Sequence, residues 1–245
     1  MYDADMTSSR RNAAKKNHIL FSLPPEDLER LIPHLEKVDL PSGRVLYAPD
    51  VKIEYIYFPD CAMVSVVANT ASGQSAEAGV IGFEGLVGLD ALFGARSTPN
   101  EHIVQMADMG LRAKLSVVQA EFDRGGAFQK LTLAFARVMM LQISQTALCN
   151  RLHTVEHRLS RWLLICRDRS KTNQINLTQE FLGIMLGTSR VSVTQASTVL
   201  QKKGLTEYSR GKITIVNRKK LEEYTCDCYK TVKNEYGKYL KHTSI

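Results

Sequence analysis

A chain of 245 residues with 44% hydrophobic and 23% charged residues is expected to form one large globular domain or two modest ones. No stretch approaches the roughly 18 uninterrupted apolar residues of a membrane span, and residues 1–16 lack the apolar core of a signal peptide, so we expect a cytoplasmic protein with no membrane contact. The five cysteines predict free thiols rather than a disulfide framework.

Charge is distributed unevenly along the chain. Residues 1–155 carry a net charge of −2 and residues 156–245 a net charge of +9, which together give the overall +7. A basic C-terminal part suits a polyanionic partner, because neutralising phosphates releases their bound counterions. The alternative is a solvated basic face with no partner.

The N-terminal part is predicted to be rich in short strands. Residues 1–17 are polar and are expected to be frayed. A helix is predicted from Leu23 onward, because prolines stand where it begins and Leu28 and Leu31 recur at helical spacing. Beyond residue 38, β-prone runs alternate with turn residues, which predicts an antiparallel sandwich or small barrel. These runs are residues 45–47, 55–58, 63–67, 77–81, 102–106 and 111–115.

One long helix is predicted next. Residues 128–152 contain neither Gly nor Pro, and apolar side chains recur there with spacings of three and four. An apolar seam of this length is hard to cover with one small domain, so we expect it to pack against a second copy of the chain. A helix buried within one chain is the alternative. The candidate dimer-interface residues are Leu131, Val138, Leu141, Gln145, Leu148 and Leu152.

Residues 155–167 predict an amphipathic helix, and two shorter helices joined by a tight turn are predicted after it. Thr178 precedes an apolar run as a helix cap, Gly183 permits close approach of another helix, and Gly187 suits a left-handed C-terminal end. Ser189 or the residue before it then caps the second helix. Two such helices form a helix-turn-helix.

The second of these helices and a hairpin after it carry side chains suited to nucleic acid. Polar residues at the N-terminus of the helix can hydrogen-bond base edges and phosphates. Residues 206–208 and 212–216 alternate as two strands around a basic tip, which predicts a wing that reaches phosphates beside the groove. The candidate DNA-binding residues are Thr178, Ser189, Arg190, Ser192, Thr194, Gln195, Arg210 and Lys212.

The predicted fold class is α+β. An antiparallel β-roll of the cupin-like jelly-roll type (residues 18–126) precedes a long dimerisation helix (127–154) and a C-terminal winged helix-turn-helix (155–245). This order resembles the Crp/Fnr family of bacterial regulators, most strongly at residues 177–193. The resemblance implies a dimeric transcription regulator that binds an inverted repeat in double-stranded DNA, with Arg190 contacting a base or a phosphate.

Two positions depart from the family at the predicted DNA surface. The Glu and the second Arg that are common in the family fall here on Val191 and Gln195. Val191 can pack on a thymine methyl group but cannot accept a hydrogen bond from cytosine, and Gln195 suits adenine better than guanine. We therefore expect a half-site different from the family's usual one.

The sensor part departs further from the family members that bind cyclic nucleotides. The Glu that holds the ribose aligns with Leu89, and the Arg that neutralises the cyclic phosphate aligns with Pro99, although Arg96 lies close by. A buried phosphate without its Arg would be an unpaired charge. Glu84, in a glycine-rich stretch, is either a turn residue or an effector ligand. The candidate effector residues are therefore Glu84, Leu89 and Arg96, and the effector itself is unidentified.

No cofactor or metal is predicted. The family's oxygen sensors hold an iron–sulfur cluster with N-terminal cysteines, and no cysteine precedes Cys61 here. Haem-binding members need an axial histidine, for which His34 and His102 are candidates. Cys226 and Cys228 form a C-x-C pair, but two ligands are too few for a closed zinc site.

The sequence favours a regulator over an enzyme. It contains no paired catalytic carboxylates, phosphate-cradling loop or nucleophile motif, so no catalytic residue is expected. The expected partners are double-stranded DNA, a second copy of the chain and a small-molecule effector, with RNA polymerase as a further candidate. Two alternatives stay open: a ligand-sensing module that acts through protein contacts, and a regulator that responds to a cyclic nucleotide.

Overall fold

The computed structural model describes residues 2–170, 172–209 and 211–242. The chain divides into two compact units. The first contains Met1–Val66, Val80–Met140 and Tyr236–Ile245, and the second contains Val67–Gly79 and Leu141–Glu235.

The N-terminal segment, which was expected to be frayed, is a helix. The first helices are α1 (Tyr2–Ala14), α2 (His18–Phe21) and α3 (Pro25–Leu31), the last followed by a 3-10 turn at Ile32–His34. Ala14 is fully buried, and the Asn17 side-chain amide donates to the carbonyl oxygens of Pro59 and Gly85 at 3.0 and 2.8 Å. These long-range contacts, which a polar sequence does not reveal, anchor the segment to the β-roll.

Seven strands form the two sheets of the β-roll. They are β1 (Glu36–Leu40), β2 (Val45–Tyr47), β3 (Tyr55–Pro59), β4 (Met63–Asn69), β5 (Ser75–Ile81), β6 (Glu101–Met106) and β7 (Asp108–Lys114). One sheet has the order β1-β7-β3 with antiparallel pairing, and the other has the order β2-β6-β4-β5. All six predicted β-prone runs are strands, whereas β1 and the short helices α4 (Leu89–Leu92) and α5 (Leu115–Asp123) were not predicted.

Aromatic side chains fill the core of the first unit. Phe58, Phe128 and Phe135 are fully buried, and the rings of Phe58 and Phe128 meet edge to face at 6.5 Å. Gly85 lies so close to Phe135 that an added Cβ would fall 2.0 Å from the ring. Only glycine fits there, which explains one residue of the glycine-rich stretch around Glu84.

The predicted long helix is α6 (Ala127–Leu152). Among the described residues it is the one helix long and apolar enough to cross a membrane, by length and composition alone. The buried core helix of a soluble protein passes the same criterion, and 44% of the apolar window of α6 is buried.

The second unit contains the predicted winged helix-turn-helix. Its elements are α7 (Val155–Ser170), β8 (Gln174–Asn176), α8 (Gln179–Leu186), α9 (Arg190–Lys202), β9 (Thr206–Ser209), β10 (Lys212–Ile215) and α10 (Arg218–Tyr224). The strands form an antiparallel sheet in the order β8-β10-β9. The wing is confirmed, and β8 adds a third strand that the sequence analysis missed. The last helix is α11 (Asp227–His242).

The end of the β4–β5 hairpin, Val67–Gly79, belongs to this second unit. There the buried indole N–H of Trp162 on α7 donates to Glu77 Oε1 at 3.1 Å. This contact joins side chains 85 residues apart in sequence, so order along the chain does not anticipate it.

Candidate nucleic-acid interface

Helix α8 begins and ends at the residues that the sequence indicated. The Thr178 hydroxyl accepts a hydrogen bond from the Phe181 N–H at 3.2 Å, which satisfies one of the free donors of the first turn. Gly187 adopts the left-handed conformation with φ of 55°, and the Thr188 N–H bonds back to the Gly183 carbonyl at 2.9 Å. This glycine-dependent ending lets the chain turn sharply into the next helix.

Gly183 makes the tight turn possible. A Cβ added at Gly183 would lie 2.9 Å from the Thr188 carbonyl oxygen, closer than real Cβ contacts allow. The predicted close approach is therefore present, although the element that approaches is the turn rather than the body of another helix. The close spacing between α8 and α9 therefore requires glycine, which has no side chain, at position 183.

Helix α9 is capped by Ser189, whose hydroxyl accepts from the Ser192 N–H at 3.2 Å. The inward side of α9 carries Val193, Ala196 and Leu200, all with no exposed surface. Burial of these three side chains fixes the rotation of the helix about its axis, and therefore which residues face outward.

The outward side of α9 presents most of the predicted DNA-binding residues. Arg190, Thr194 and Gln195 are exposed, as is Ser189, and Ser192 is half-buried. The Thr194 hydroxyl lies 2.9 Å from both the Gln179 side-chain oxygen and the Arg190 carbonyl, so its single proton is already directed to one of them. Arg190 and Gln195 are therefore the side chains best placed to reach a base edge.

The wing is held by its own small core. Ile213 and Ile215 on β10 are buried, whereas Lys212 at the tip is exposed to solvent. Gly211 provides the positive φ of 78° that the turn requires. The other predicted tip residue, Arg210, lies outside the described residues.

A cleft beside the N-terminus of α9 was not anticipated. Its walls are the β4–β5 hairpin, including Asn69 and Gln74, and the turn from Gly187 to Arg190. A Cβ added at Gly187 would lie 3.2 Å from the Ala76 side chain, which shows how closely the hairpin approaches the turn. More than 100 residues separate the two walls, so no local pattern could have indicated the cleft.

The predicted effector residues lie in different environments. Glu84 is 2% exposed, its Oε1 accepts from the Gly82 N–H at 3.1 Å, and its carbonyl accepts from the Tyr239 hydroxyl at 2.9 Å. Leu89 is half-buried at the start of α4, and Arg96 is exposed in the following loop. Glu84 stabilises the turn in this state, and a ligand could reach its carboxylate only if the turn opened.

The two histidines considered as haem ligands also differ. His34 is exposed after α3. His102 is buried, and its ring meets the Tyr47 ring at 5.1 Å. Burial lowers the pKa of His102 below its ordinary value, against the attraction of Asp90. Its burial makes His102 part of the interior of the β-roll.

The candidate dimer residues on α6 do not form one exposed seam. Leu131 and Val138 are 2% and 0% exposed, so these two side chains belong to the core of their own chain and are unavailable to a partner. Leu141 and Gln145 are half-buried, while Leu148 and Leu152 are exposed. The exposed apolar side chains that the sequence analysis missed are Leu133, Met140 and Ile143.

Four potential metal ligands come together in the second unit. The donor atoms of Cys149, His153, Cys226 and Cys228 all lie within 4.8 Å of one another. From the sequence only the C-x-C pair was a candidate and no metal was expected, because nothing along the chain links residues 149–153 to residues 226–228.

Comparison with known proteins gives one family match. Residues 157–224 match the family described as the Crp-like helix-turn-helix domain. No curated protein matches the chain in sequence. Many solved structures share its fold.

Three of these structures show how far the similarity extends. A Eubacterium rectale protein assigned to the crp/fnr family of transcriptional regulators is 15% identical, with a TM-score of 0.66 over 84% of this chain and 96% of that one. FixK2 from Bradyrhizobium japonicum is 16% identical, with a TM-score of 0.67 over 78% and 98%. The c-di-GMP responsive global regulator CLP from Xanthomonas campestris is 16% identical, with a TM-score of 0.65 over 79% and 100%.

Proposed function

We propose that this chain is a Crp/Fnr-like transcription regulator that binds an inverted repeat in double-stranded DNA as a homodimer, because residues 157–224 match the Crp-like helix-turn-helix domain and the chain shares the fold of a crp/fnr family structure. The expectation of a regulator rather than an enzyme agrees with the descriptions of the matched proteins. We place it in the cytoplasm, where it would meet DNA and RNA polymerase.

The exposed N-terminal half of α9 carries this proposal. The helix is capped at Ser189 and anchored by a buried apolar side, so Arg190 and Gln195 project from a rigid support. A helix of this kind fits the major groove, where Arg pairs with guanine or a phosphate and Gln pairs with adenine. The net charge of +9 on residues 156–245 favours approach to the phosphate backbone.

The exposed apolar side of α6 supports the dimer. Leu133, Met140 and Leu148 are 49%, 69% and 44% exposed on one broad side of α6, and Ile143 and Leu152, which are 39% and 68% exposed, lie at its two flanks. A second copy related by a twofold axis would bury these side chains against their equivalents. The two α9 helices would then enter successive major grooves about 34 Å apart.

Control by an effector at the β-roll is the remaining part of the proposal. The Xanthomonas regulator is described as responsive to c-di-GMP, so a cyclic dinucleotide is one class to test. A simple cyclic nucleotide fits less well, because Pro99 stands where the family's phosphate-binding Arg would be. Leu152-His153-Thr154, between α6 and α7, is the proposed hinge through which the effector state would reach α9.

Selection from a random duplex library tests the proposal while the operator sequence is still unidentified. The full chain should enrich one inverted repeat, with half-site centres about 10 base pairs apart. Gln195→Ala should lose preference at one base of each half-site, whereas Gln201→Ala, an exposed Gln at the far end of α9, should select the wild-type repeat. Failure of the wild-type chain to enrich any sequence would contradict the proposal.

A further inference from the structure

Two distant segments of the chain bring four metal-binding side chains together in the second unit. Cys149 lies near the end of α6, and His153 follows one turn later, so both project from the same side of the chain. Cys226 immediately precedes α11, and Cys228 is in its first turn. The three thiols are 0%, 9% and 3% exposed, and the imidazole is half-buried.

Two donor–donor distances within this cluster match those of a tetrahedral metal site. The Sγ atoms of Cys149 and Cys226 are 3.6 Å apart, and Cys228 Sγ lies 3.6 Å from His153 Nδ1. With Zn–S near 2.3 Å and Zn–N near 2.0–2.1 Å, tetrahedral geometry requires about 3.8 Å between two sulfurs and about 3.6 Å between sulfur and nitrogen. A disulfide would instead need about 2.0 Å between sulfurs.

Two buried positive charges lie beside the cluster. Arg158 and Arg161 on α7 are 8% and 4% exposed, and each interacts electrostatically with Cys149. Across residues 2–170, 172–209 and 211–242, no carboxylate forms an ion pair with either guanidinium. A buried charge needs a nearby opposite charge. Three thiolates around one divalent ion carry a net −1 and provide it.

We propose that Cys149, His153, Cys226 and Cys228 bind one Zn²⁺ ion in a closed tetrahedral site. Three thiolates and one imidazole are a donor set that zinc prefers, and their close spacing suits one ion, because a polynuclear iron–sulfur cluster would bind each sulfur to a different iron. The ion joins the end of α6 to the start of α11 and so stabilises the proposed hinge. This site does not depend on DNA binding.

Metal analysis of the full chain, purified under reducing conditions without chelator, tests the site. The wild-type protein and Cys61→Ser, which removes a cysteine outside the cluster, should each contain about one zinc per chain. Cys149→Ser and Cys226→Ser should lose it. After replacement of zinc by Co²⁺, the wild-type chain should show the visible bands of tetrahedral cobalt and a thiolate charge-transfer band.

A gain-of-ligand variant keeps the test independent of folding defects in the serine variants. His153→Cys should retain one metal per chain and show a stronger thiolate charge-transfer band with Co²⁺, because four thiolates then replace three. The proposal is wrong if the wild-type chain contains no zinc and gives no tetrahedral cobalt spectrum. It is equally wrong if Cys149→Ser and Cys226→Ser keep the full metal content, or if Cys149 and Cys226 are recovered as a disulfide without metal.

Discussion

Helices α9 and α6 both carry apolar residues at helical spacing. Only in α9 does this spacing distinguish the buried side of the helix from the exposed side. In α9 the inward residues Val193, Ala196 and Leu200 are fully buried, and the polar residues opposite them are exposed. In α6 two of the predicted partner-facing residues, Leu131 and Val138, are buried in their own chain. The sequence located both helices correctly, yet it oriented only one of them.

The difference has a physical cause. One side of α9 is polar, so only one orientation buries most of its apolar residues and leaves its charged residues in water. Helix α6 has apolar residues on more than one side, and periodicity alone cannot decide which side meets the chain's own core and which meets a partner. Variants on both helices test this account.

The largest effect is expected at the exposed side of α6. Met140→Glu would place a charge in the proposed dimer interface, where burial without a partner costs several kcal/mol, so the dimer should weaken about 100-fold or more. Lys130→Glu changes an exposed residue of the same helix and is the control. Sedimentation velocity over a concentration series measures the dimer. A Met140→Glu protein that stays dimeric would show that the dimer interface lies on another surface.

The next largest effect is expected at the N-terminus of α9. Arg190→Ala should weaken binding to the selected duplex by roughly 1–3 kcal/mol, because it removes a base or phosphate contact. Arg124→Ala removes the same charge from an exposed site at the end of α5 and should change affinity less. Gel-shift titrations at fixed salt measure both. If the double variant Arg190→Ala with Gln195→Ala keeps its regulatory activity, that result favours the alternative of a ligand-sensing module that acts through protein contacts.

Two glycines test how the turn between α8 and α9 is held. Gly183→Ala should lower the free energy of unfolding by about 1–3 kcal/mol, because the added Cβ meets the Thr188 carbonyl oxygen. Gly204→Ala, where φ is +67° and the surrounding space is open, should lose only about 1–2 kcal/mol from the left-handed backbone. Denaturant midpoints compare the two variants. A larger loss for Gly204→Ala would argue against tight packing at the turn.

The smallest effect concerns pH and the β-roll. Burial lowers the pKa of His102, so its neutral form is favoured in the folded state, and stability should fall as pH drops below about 6.5. His102→Gln should flatten this fall by at most about 1.4 kcal/mol per pH unit. His34→Gln is the control for loss of an exposed histidine. Unfolding titrations from pH 8 to pH 5 would contradict the account if both variants keep the wild-type slope.

The sequence predicts features that depend on residues close together along the chain, and it misses those that depend on residues far apart. Helix caps such as Thr178 and Ser189 act within three residues, and the six predicted strands follow local alternation of residue types. Both features could therefore be predicted from the sequence. The anchoring of residues 2–17, the cleft beside α9 and the proposed ligand set of Cys149 and Cys226 all join distant segments. No local sequence pattern links such pairs.

A stoichiometric titration of the selected duplex with the full chain decides whether two α9 helices read DNA together. We expect saturation at two chains per duplex, and loss of tight binding when five added base pairs turn one half-site to the opposite face of the helix. Saturation at one chain per duplex, with affinity unchanged by the insertion, would contradict the proposal that a dimer binds DNA through two α9 helices.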